Sequence, residues 1–375
     1  MSTSIVTYII DREFHFAEIV KEFAVINQLM KVEQNPKYHR EGNVYIHTKK
    51  VCEELMKFNQ WHGLSEEDKA VLFLSALFHD MGKLTCTKIE DNEIVSPKHA
   101  VKGAKEFRKL FYREYSEKFS ISFQLRERIA QLIKYHGLPL FFMEREDMDF
   151  ELIRAAESVD MKLLYLLSKA DLLGRECDDK EELLNNVEFF KEYSKELGCY
   201  YSPKKFSSSY TRFLYFNKRN IWHGDKVFDT TSFQVIIMAG LPLAGKDTYI
   251  EENLKGMAVI SLDNIRAEFN ISPKDGSAKV AAIARERAKE FLRKKQSFVW
   301  NATNIVKDTR SSLCSLFSAY GARVRFIYIE APYNELITRN KVRERVVSEK
   351  IINTMINRFD MLEAWEGYET DYYIQ

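Results

Sequence analysis

This sequence has few cysteines, almost no net charge and no long apolar run. The five cysteines, Cys52, Cys86, Cys177, Cys199 and Cys314, form no CxxC pair. Their odd number and scattered spacing argue against a disulfide framework and point to a reducing compartment. Lysine and arginine total 56 against 55 acids, a formal net charge of +1. That balance excludes a uniformly basic nucleic-acid binder, so any contact with nucleic acid must use local patches. No stretch approaches the uncharged length that a membrane helix needs. The apolar run Ile5–Ile10 is too short for the core of a signal peptide. A cytoplasmic protein with no membrane attachment is expected. No internal repeat or low-complexity tract is visible.

What is present suits two domains: 375 residues, 45% of them hydrophobic, are enough for two real cores. Residues 14–34 carry a helical apolar rhythm through Phe16, Ile19, Val20, Phe23, Ile26 and Leu29. Helical patterns continue at about 47–61, 66–80, 97–116, 121–136, 150–173 and 180–197, and strand signals are nearly absent before residue 200. The first half therefore reads as all-α. After residue 230 the rhythm changes. Short apolar runs at Phe233–Met238, Ala258–Ser261, Phe298–Trp300 and Val324–Ile329 alternate with helical segments, among them 277–295 and 308–320. That alternation predicts an α/β domain with a parallel sheet flanked by helices. The predicted division is an all-α domain over 1–198, a join over 199–232 and an α/β domain over 233–375.

In the first half, His79-Asp80 ends the apolar helix Leu72–Phe78 and leads into Met81-Gly82-Lys83. A lone His-Asp pair means little. Its weight comes from His47, His99, His136 and Asp171, each on or beside a predicted helix; four of the eight histidines fall in this set. Imidazole and carboxylate together suit a divalent transition metal such as Mn²⁺, Co²⁺, Ni²⁺ or Zn²⁺. An aspartate can bridge two ions, and two ions can polarise a phosphate and activate a bound water. Lys83 is placed to neutralise a phosphate oxygen.

In the second half, the run Phe233–Met238 leads into Gly240-Leu-Pro-Leu-Ala-Gly245-Lys246-Asp247-Thr248. A GxxxxGK sequence with a strand before and a helix after is a phosphate-binding loop. Its glycines let backbone N–H groups wrap the phosphates of ATP or another NTP, and Lys246 reaches the β- and γ-phosphates. The position after the lysine ordinarily carries a serine or threonine that binds Mg²⁺; here it is Asp247. Either Asp247 binds Mg²⁺ or Thr248 takes over. Asp263 and Arg266 follow the second strand, suited to accept a proton from an attacking hydroxyl and to hold a phosphate of the acceptor. Asn301-Ala-Thr303-Asn304 and Arg310 follow the third. Arg339, Arg343 and Arg345 lie on a cationic segment suited to a lid.

These sets resemble known families. The order His47, His79-Asp80, Asp171 resembles the HD superfamily of metal phosphohydrolases. The stretches His39–Thr48, Phe78–Lys83 and Lys169–Arg175, with His99, are similar to the HD domain attached to some CCA-adding tRNA nucleotidyltransferases, over about residues 20–175. The resemblance implies one metal held by His47, His79, Asp80 and Asp171, and a second near His99 and His136, bridged by Asp80. No nucleotidyltransferase head is visible, so CCA addition is not implied. Residues 233–360 resemble the polynucleotide 5′-kinase family. That resemblance makes Lys246 the phosphate lysine, Asp263 the general base, Arg266 the acceptor-phosphate contact, and Arg339 and Arg343 the lid arginines. The family's Asp-x-Thr-Asn is Asn301-x-Thr303-Asn304 here. Arg358 and Phe359 are candidates for the adenine contact.

Together the two halves look like the bacterial HD-type end-healing enzymes. The resemblance implies RNA or DNA ends with a 5′-OH and a 3′-phosphate or 2′,3′-cyclic phosphate as substrates, Mg²⁺ at the kinase site, and a ligase as functional partner. The alternatives are an HD nucleotidase joined to a small-molecule or nucleoside kinase, and a sensor that only binds. Cations and aromatics interleave between the two halves, with Lys204, Lys205, Arg212, Lys218, Arg219 and Lys226 among Tyr200, Tyr201, Phe206, Tyr210, Phe213, Tyr215, Phe216 and Trp222. Such a segment suits single-stranded nucleic acid; packing between domains is the favoured expectation.

Overall fold

The computed structural model describes residues 2–217, 220–272, 276–342 and 346–375. They form two compact units, Met1–Lys205 and Phe206–Gln375. Among the described residues no helix is long and apolar enough to cross a membrane.

The first unit is a helical bundle. Its main helices are α1 (Val44–Met56), α2 (Glu66–Phe78), α3 (His99–Lys109), α4 (Phe123–Tyr135), α5 (Met161–Gly174) and α6 (Lys180–Glu196). Helix α2 is the axis. Ser65 caps it by accepting from the Asp68 N–H, and Glu66, Glu67 and Asp68 sit at the positive end of its dipole. From Ala70 to Phe78 every residue is buried, as expected of a helix surrounded by others. Helices α1, α4 and α5 pack around it. The turn that follows α2 crosses the start of α3 so closely that a Cβ on Gly82 would lie 2.1 Å from the His99 carbonyl oxygen. Only glycine permits that approach, which draws Asp80 toward His99.

Several of the expected helices are divided, the pattern over 47–61 into Val44–Met56 and Asn59–His62 among them. The rhythm over 14–34 divides into short turns, Phe16–Ile19, Val20–Glu22, Ala24–Gln28 and Leu29–Lys31. The break falls at Phe23 (φ −114°, ψ 77°), whose buried ring meets Phe78 edge-on at 5.2 Å. The pattern over 150–173 separates into Met148–Ala156 and α5 because Asp160 accepts from the N–H groups of Lys162 and Leu163 and starts a new helix. A hairpin, Lys88–Glu90 with Glu93–Val95, was not expected. Asp91 and Asn92 both have positive φ (50° and 64°), as a two-residue type I′ turn requires.

The second unit is a parallel sheet of five strands, β1 (Phe233–Ala239), β2 (Ala258–Ser261), β3 (Phe298–Asn301), β4 (Ala322–Glu330) and β5 (Glu369–Ile374), in the order β2-β3-β1-β4-β5. All its pairings are parallel. Strand β1 lies inside and is nearly continuous in apolar residues, as a strand covered on both faces must be. Strand β5, missed in the sequence, is a polar edge strand with no residue fully buried, so hydrophobic periodicity gives no signal for it. The helix Ser209–Asn217 belongs to this unit. Three aromatics of the join, Tyr210, Phe213 and Phe216, engage this unit's own C-terminal segment. Phe213 lies 6.1 Å from Tyr368, Phe216 lies 5.8 Å from Trp365, and Arg212 donates to the Ala364 carbonyl. Lys218 and Arg219, also expected there, lie outside the described residues.

Candidate functional sites

In the first unit, helix ends converge. His47 is on α1, His79 caps α2 and Asp80 follows it, His99 opens α3, His136 caps α4, and Asp171 lies in the last turn of α5. Their ligand atoms form overlapping groups, each within 4.8 Å: His47, His79 and Asp80; His79, His136 and Asp171; Asp80, His99 and His136. The two oxygens of Asp80 face different imidazoles. Oδ2 lies 3.3 Å from His79 Nε2 and 3.8 Å from His47 Nε2, while Oδ1 lies 3.3 Å from His99 Nε2 and 4.0 Å from His136 Nε2.

The orientation of the rings carries the chemistry. The Nδ1 atoms of His79, His99 and His136 face the carbonyl oxygens of Ala76, Ser96 and Ile133 at 2.7–2.8 Å. His47 Nδ1 lies 2.9 Å from Glu41 Oε1. The three carbonyls accept, so those rings keep a proton on Nδ1 and turn Nε2 inward; the Glu41 carboxylate lies beside His47 Nδ1 out of line for a hydrogen bond, and its charge favours the proton on the same atom. There the lone pairs meet: His47 and His79 Nε2 are 3.3 Å apart, as are His99 and His136 Nε2, and His47 Nε2 is 3.0 Å from Asp171 Oδ1. Asp80 Oδ1 is buried and accepts no hydrogen bond among the described residues. Converging lone pairs and carboxylate oxygens repel one another unless cations lie among them. The donor set therefore fits divalent metals that accept imidazole and carboxylate.

Electrostatics divide the cluster: burial opposes charge on His79, but Asp80 and Asp171 outweigh it and raise that ring above its ordinary value. Burial, helped by His79 and His99, pushes His136 down to about 3, and burial also lowers His99. Burial opposes ionisation of Asp80, but Lys83 and His79 outweigh it and hold the carboxyl well below its ordinary value. Arg175 and His47 do the same for Asp171. Arg175 grips Asp171 with two hydrogen bonds, Nε to Oδ1 at 3.1 Å and Nη2 to Oδ2 at 2.6 Å. Lys83 Nζ lies 2.7 Å from Asp80 Oδ2 and donates to Gln34 Oε1. A pocket of about 420 Å³ opens beside the cluster, lined in part by Gln34, Tyr38, Lys83, His99 and Arg175.

Sequence reasoning missed Glu41 and gave Arg175 no role. Glu41 takes contacts from His39 and His47 and accepts from the Glu176 N–H at 2.9 Å. Burial, only partly offset by Glu41, pulls His39 down to about 4, so that ring is neutral. Arg175 was detectable, standing four residues after Asp171 on a helix end.

In the second unit, β1 runs through the glycine loop into α7 (Lys246–Asn253). Gly240 has φ +144°, and a Cβ there would lie 2.3 Å from the Ile329 carbonyl oxygen, so the loop can hug β4 only with glycine. The loop after β3 supports it: the Gly240 N–H donates to the Thr303 carbonyl at 2.9 Å, and Asn304 Nδ2 donates to the Met238 carbonyl at 2.6 Å. Lys246 Nζ donates to the carbonyls of Gly240 and Leu241. Asp247 and Thr248 are exposed in the first turn of α7. Asp263 and Arg266 lie one turn apart on α8 (Leu262–Glu268), with Asp263 exposed and Arg266 donating to Ser277 Oγ at 3.0 Å. Arg339, on α9 (Tyr333–Lys341), donates to the Leu243 carbonyl of the loop at 3.0 Å and to Gln375 Oε1 at 2.6 Å. Gln375 in turn donates to the Ala244 carbonyl. Arg343 and Arg345 lie outside the described residues.

Arg310 is not at the site. It is 1% exposed, forms a two-pronged pair with Glu366 and donates to the carbonyls of Asn304, Asp360 and Met361. Its function is to pin the 360–366 segment to the loop after β3. Arg358 is exposed at the end of the helix Glu349–Arg358, and the Phe359 ring lies 5.8 Å from Tyr328.

Fold and site together define two parts: a helical unit with a His/Asp donor set suited to divalent metals, and an α/β unit whose central strand ends in a phosphate-binding loop. Residues 44–171 match the family described as HD domain, and residues 235–362 match the family described as AAA domain. A stretch of 133 residues is 29% identical to L-seryl-tRNA(Sec) kinase of Methanococcus maripaludis, covering 34% of this chain and 52% of that protein. The chain thus spans about half the length of the curated relative it matches.

Proposed function

We propose that this chain heals broken nucleic-acid ends. In the first unit, a water oxygen attacks the phosphorus of a 3′-phosphate or 2′,3′-cyclic phosphate and a P–O bond to the ribose breaks. In the second, the 5′-hydroxyl oxygen attacks the γ-phosphorus of ATP or another NTP, and the nucleoside diphosphate leaves. The observation that carries this reading is the pairing, in one chain, of an inward-facing His/Asp nest with a GxxxxGK loop at the end of a central strand. Opposite end chemistries from one protein make ends that a ligase can join. The relative's name describes a kinase whose acceptor is carried on tRNA, which supports a polynucleotide-linked acceptor here.

Divalent metals bound at the first site would polarise the phosphate and activate a water. His47, His79, Asp80 and Asp171 would hold one ion, and Asp80, His99 and His136 a second. Lys83 exchanges its pairing with Asp80 for a substrate phosphate oxygen. In the second site Lys246 grips the donor phosphates, Asp263 takes the proton of the attacking hydroxyl, Arg266 holds the adjacent acceptor phosphate, and Arg339 covers the transferring group.

A second reading, an HD nucleotidase joined to a small-molecule kinase, is favoured by three carboxylates in the wall of the first pocket, Glu144, Asp179 and Glu182, which repel an extended polyanion. One experiment separates the two. The full chain is given a labelled oligonucleotide with a 5′-OH and a 3′-phosphate, ATP, and Mg²⁺, Mn²⁺, Co²⁺ or Ni²⁺, with free nucleoside and mononucleotide as competitors. Healing of both ends supports the proposal. Turnover of the small competitors alone supports the second reading.

A further inference from the structure

The position after the phosphate-loop lysine is the least ordinary feature of the second unit. In P-loop enzymes Mg²⁺ is held by the hydroxyl of that residue and by an aspartate outside the loop, which makes one neutral oxygen and one carboxylate. Here the loop position is Asp247. Asn301 is the last residue of β3, the strand beside β1, and it is buried. The two side chains meet: Asn301 Nδ2 donates to Asp247 Oδ1 at 2.6 Å.

We infer that the carboxylate serving the nucleotide-bound Mg²⁺ and the neutral group beside it have exchanged places: Asp247 in the loop is the ligand, and Asn301 at the end of the neighbouring strand positions it. The inference rests on the reading of this unit as a nucleotide-dependent kinase. Either change alone is costly. An aspartate at both positions sets two negative charges at hydrogen-bond distance beside a triphosphate, and a serine with an asparagine leaves the ion without a carboxylate. Together they keep a single carboxylate in an all-oxygen donor set, which suits Mg²⁺. The Asn301 amide holds one carboxylate oxygen and leaves the other for the ion, so Asn301 is a positioning residue and Asp247 the ligand.

The test uses the full chain as wild type, D247S, D247N, N301D and the double variant D247S/N301D. Calorimetry measures binding of a non-hydrolysable ATP analogue with and without Mg²⁺, and paramagnetic resonance measures Mn²⁺ binding to the nucleotide complex. Both are read without turnover. D247S and D247N should each weaken the Mg²⁺-dependent part of nucleotide affinity by at least about 10-fold, the lower end for residues that hold or orient a metal ligand. N301D should bind nucleotide more weakly than wild type without Mg²⁺, because two carboxylates then face the phosphates. The double variant should recover most of the Mg²⁺ dependence lost in D247S. If D247S does not fold, the isosteric D247N gives the same reading. Wild-type Mg²⁺ dependence in D247N, or a double variant no better than D247S, overturns the exchange while leaving nucleotide binding intact. A wild type that binds no nucleotide under any condition overturns the kinase reading and this inference with it.

Discussion

Replacing Glu41 by glutamine tests whether the first site depends on a residue that touches no metal. The Glu41 side chain is fully buried. Its Oε1 lies 2.7 Å from His39 Nδ1 and 2.9 Å from His47 Nδ1, and the Glu176 N–H donates to Oε2 at 2.9 Å. The carboxylate accepts from His39 and the Glu176 N–H, and its charge holds the His47 proton on the Nδ1 beside it. Glutamine has the same shape but only one acceptor atom. With its oxygen toward the imidazoles, its NH₂ meets the Glu176 N–H; reversed, the NH₂ meets both imidazole N–H groups. Each choice sets donor against donor out of water, at a cost of about 1–3 kcal/mol. In the reversed case His47 moves its proton to Nε2 and is lost as a metal ligand. In the other, a neutral carbonyl replaces a carboxylate and His47 becomes a weaker base. Either way metal affinity should fall by about 10–100-fold, as when the partner orienting a ligating histidine is removed. That fall corresponds to about 1.4–2.8 kcal/mol at about 1.4 kcal/mol per tenfold. Calorimetric titration of the metal-stripped full chain with Mn²⁺ or Co²⁺ measures it, with the melting temperature of the stripped protein as a control for folding. A Glu41→Gln protein that binds either metal within about threefold of wild type would refute the reasoning, because affinity would then not depend on the ring orientation that Glu41 enforces.

Other outcomes follow from the same geometry. His79→Ala and Asp80→Ala should abolish 3′ hydrolysis and spare 5′ phosphorylation, and Lys246→Ala should do the reverse, assayed on one doubly unhealed oligonucleotide; loss of both activities in every folded variant contradicts two independent sites. Mn²⁺, Co²⁺ or Ni²⁺ should support the hydrolase better than Mg²⁺, read from rates at saturating metal, and equal rates would count against imidazole ligation. Arg310→Ala leaves Glu366 charged and buried without its partner, so the second unit should lose about 3–5 kcal/mol, followed by hydrogen exchange of the amides of β1 and β4. Asp229 is held at about 2: burial opposes ionisation, but hydrogen bonds from Tyr368 and Thr231 and the nearby Arg323 outweigh it. A depressed carboxyl stabilises the fold above its unfolded value near 3.8, and the contribution is lost as pH falls through about 2. Asp229→Asn should therefore lower the second unit's stability at neutral pH, by no more than about 2 kcal/mol for a side chain partly in water, and match wild type near pH 2.

Much of this protein was legible in the order of its residues. The glycine loop could be read because its chemistry is local: strand, loop, lysine and helix follow one another within about twenty residues, and backbone N–H groups do the work. The six metal-site candidates could be named, since histidines and aspartates at the ends of apolar helices point inward together. Only the tertiary structure decided how they meet. The burial that gives Asp80 one pair of imidazoles on each oxygen depends on the crossing at Gly82, and no spacing in the sequence encodes that crossing. Glu41 and Arg175 orient their ligands through contacts that need the folded bundle, and a polar edge strand such as β5 has no periodicity to announce it. Arg310 shows the same limit from the other side: a cation placed like an active-site residue in the sequence is a buried brace in the fold, because an arginine's role is set by the acceptors around it. Asp247 and Asn301 stand far apart in the chain, and only the parallel pairing of β3 with β1 makes two separate oddities of the sequence into one site.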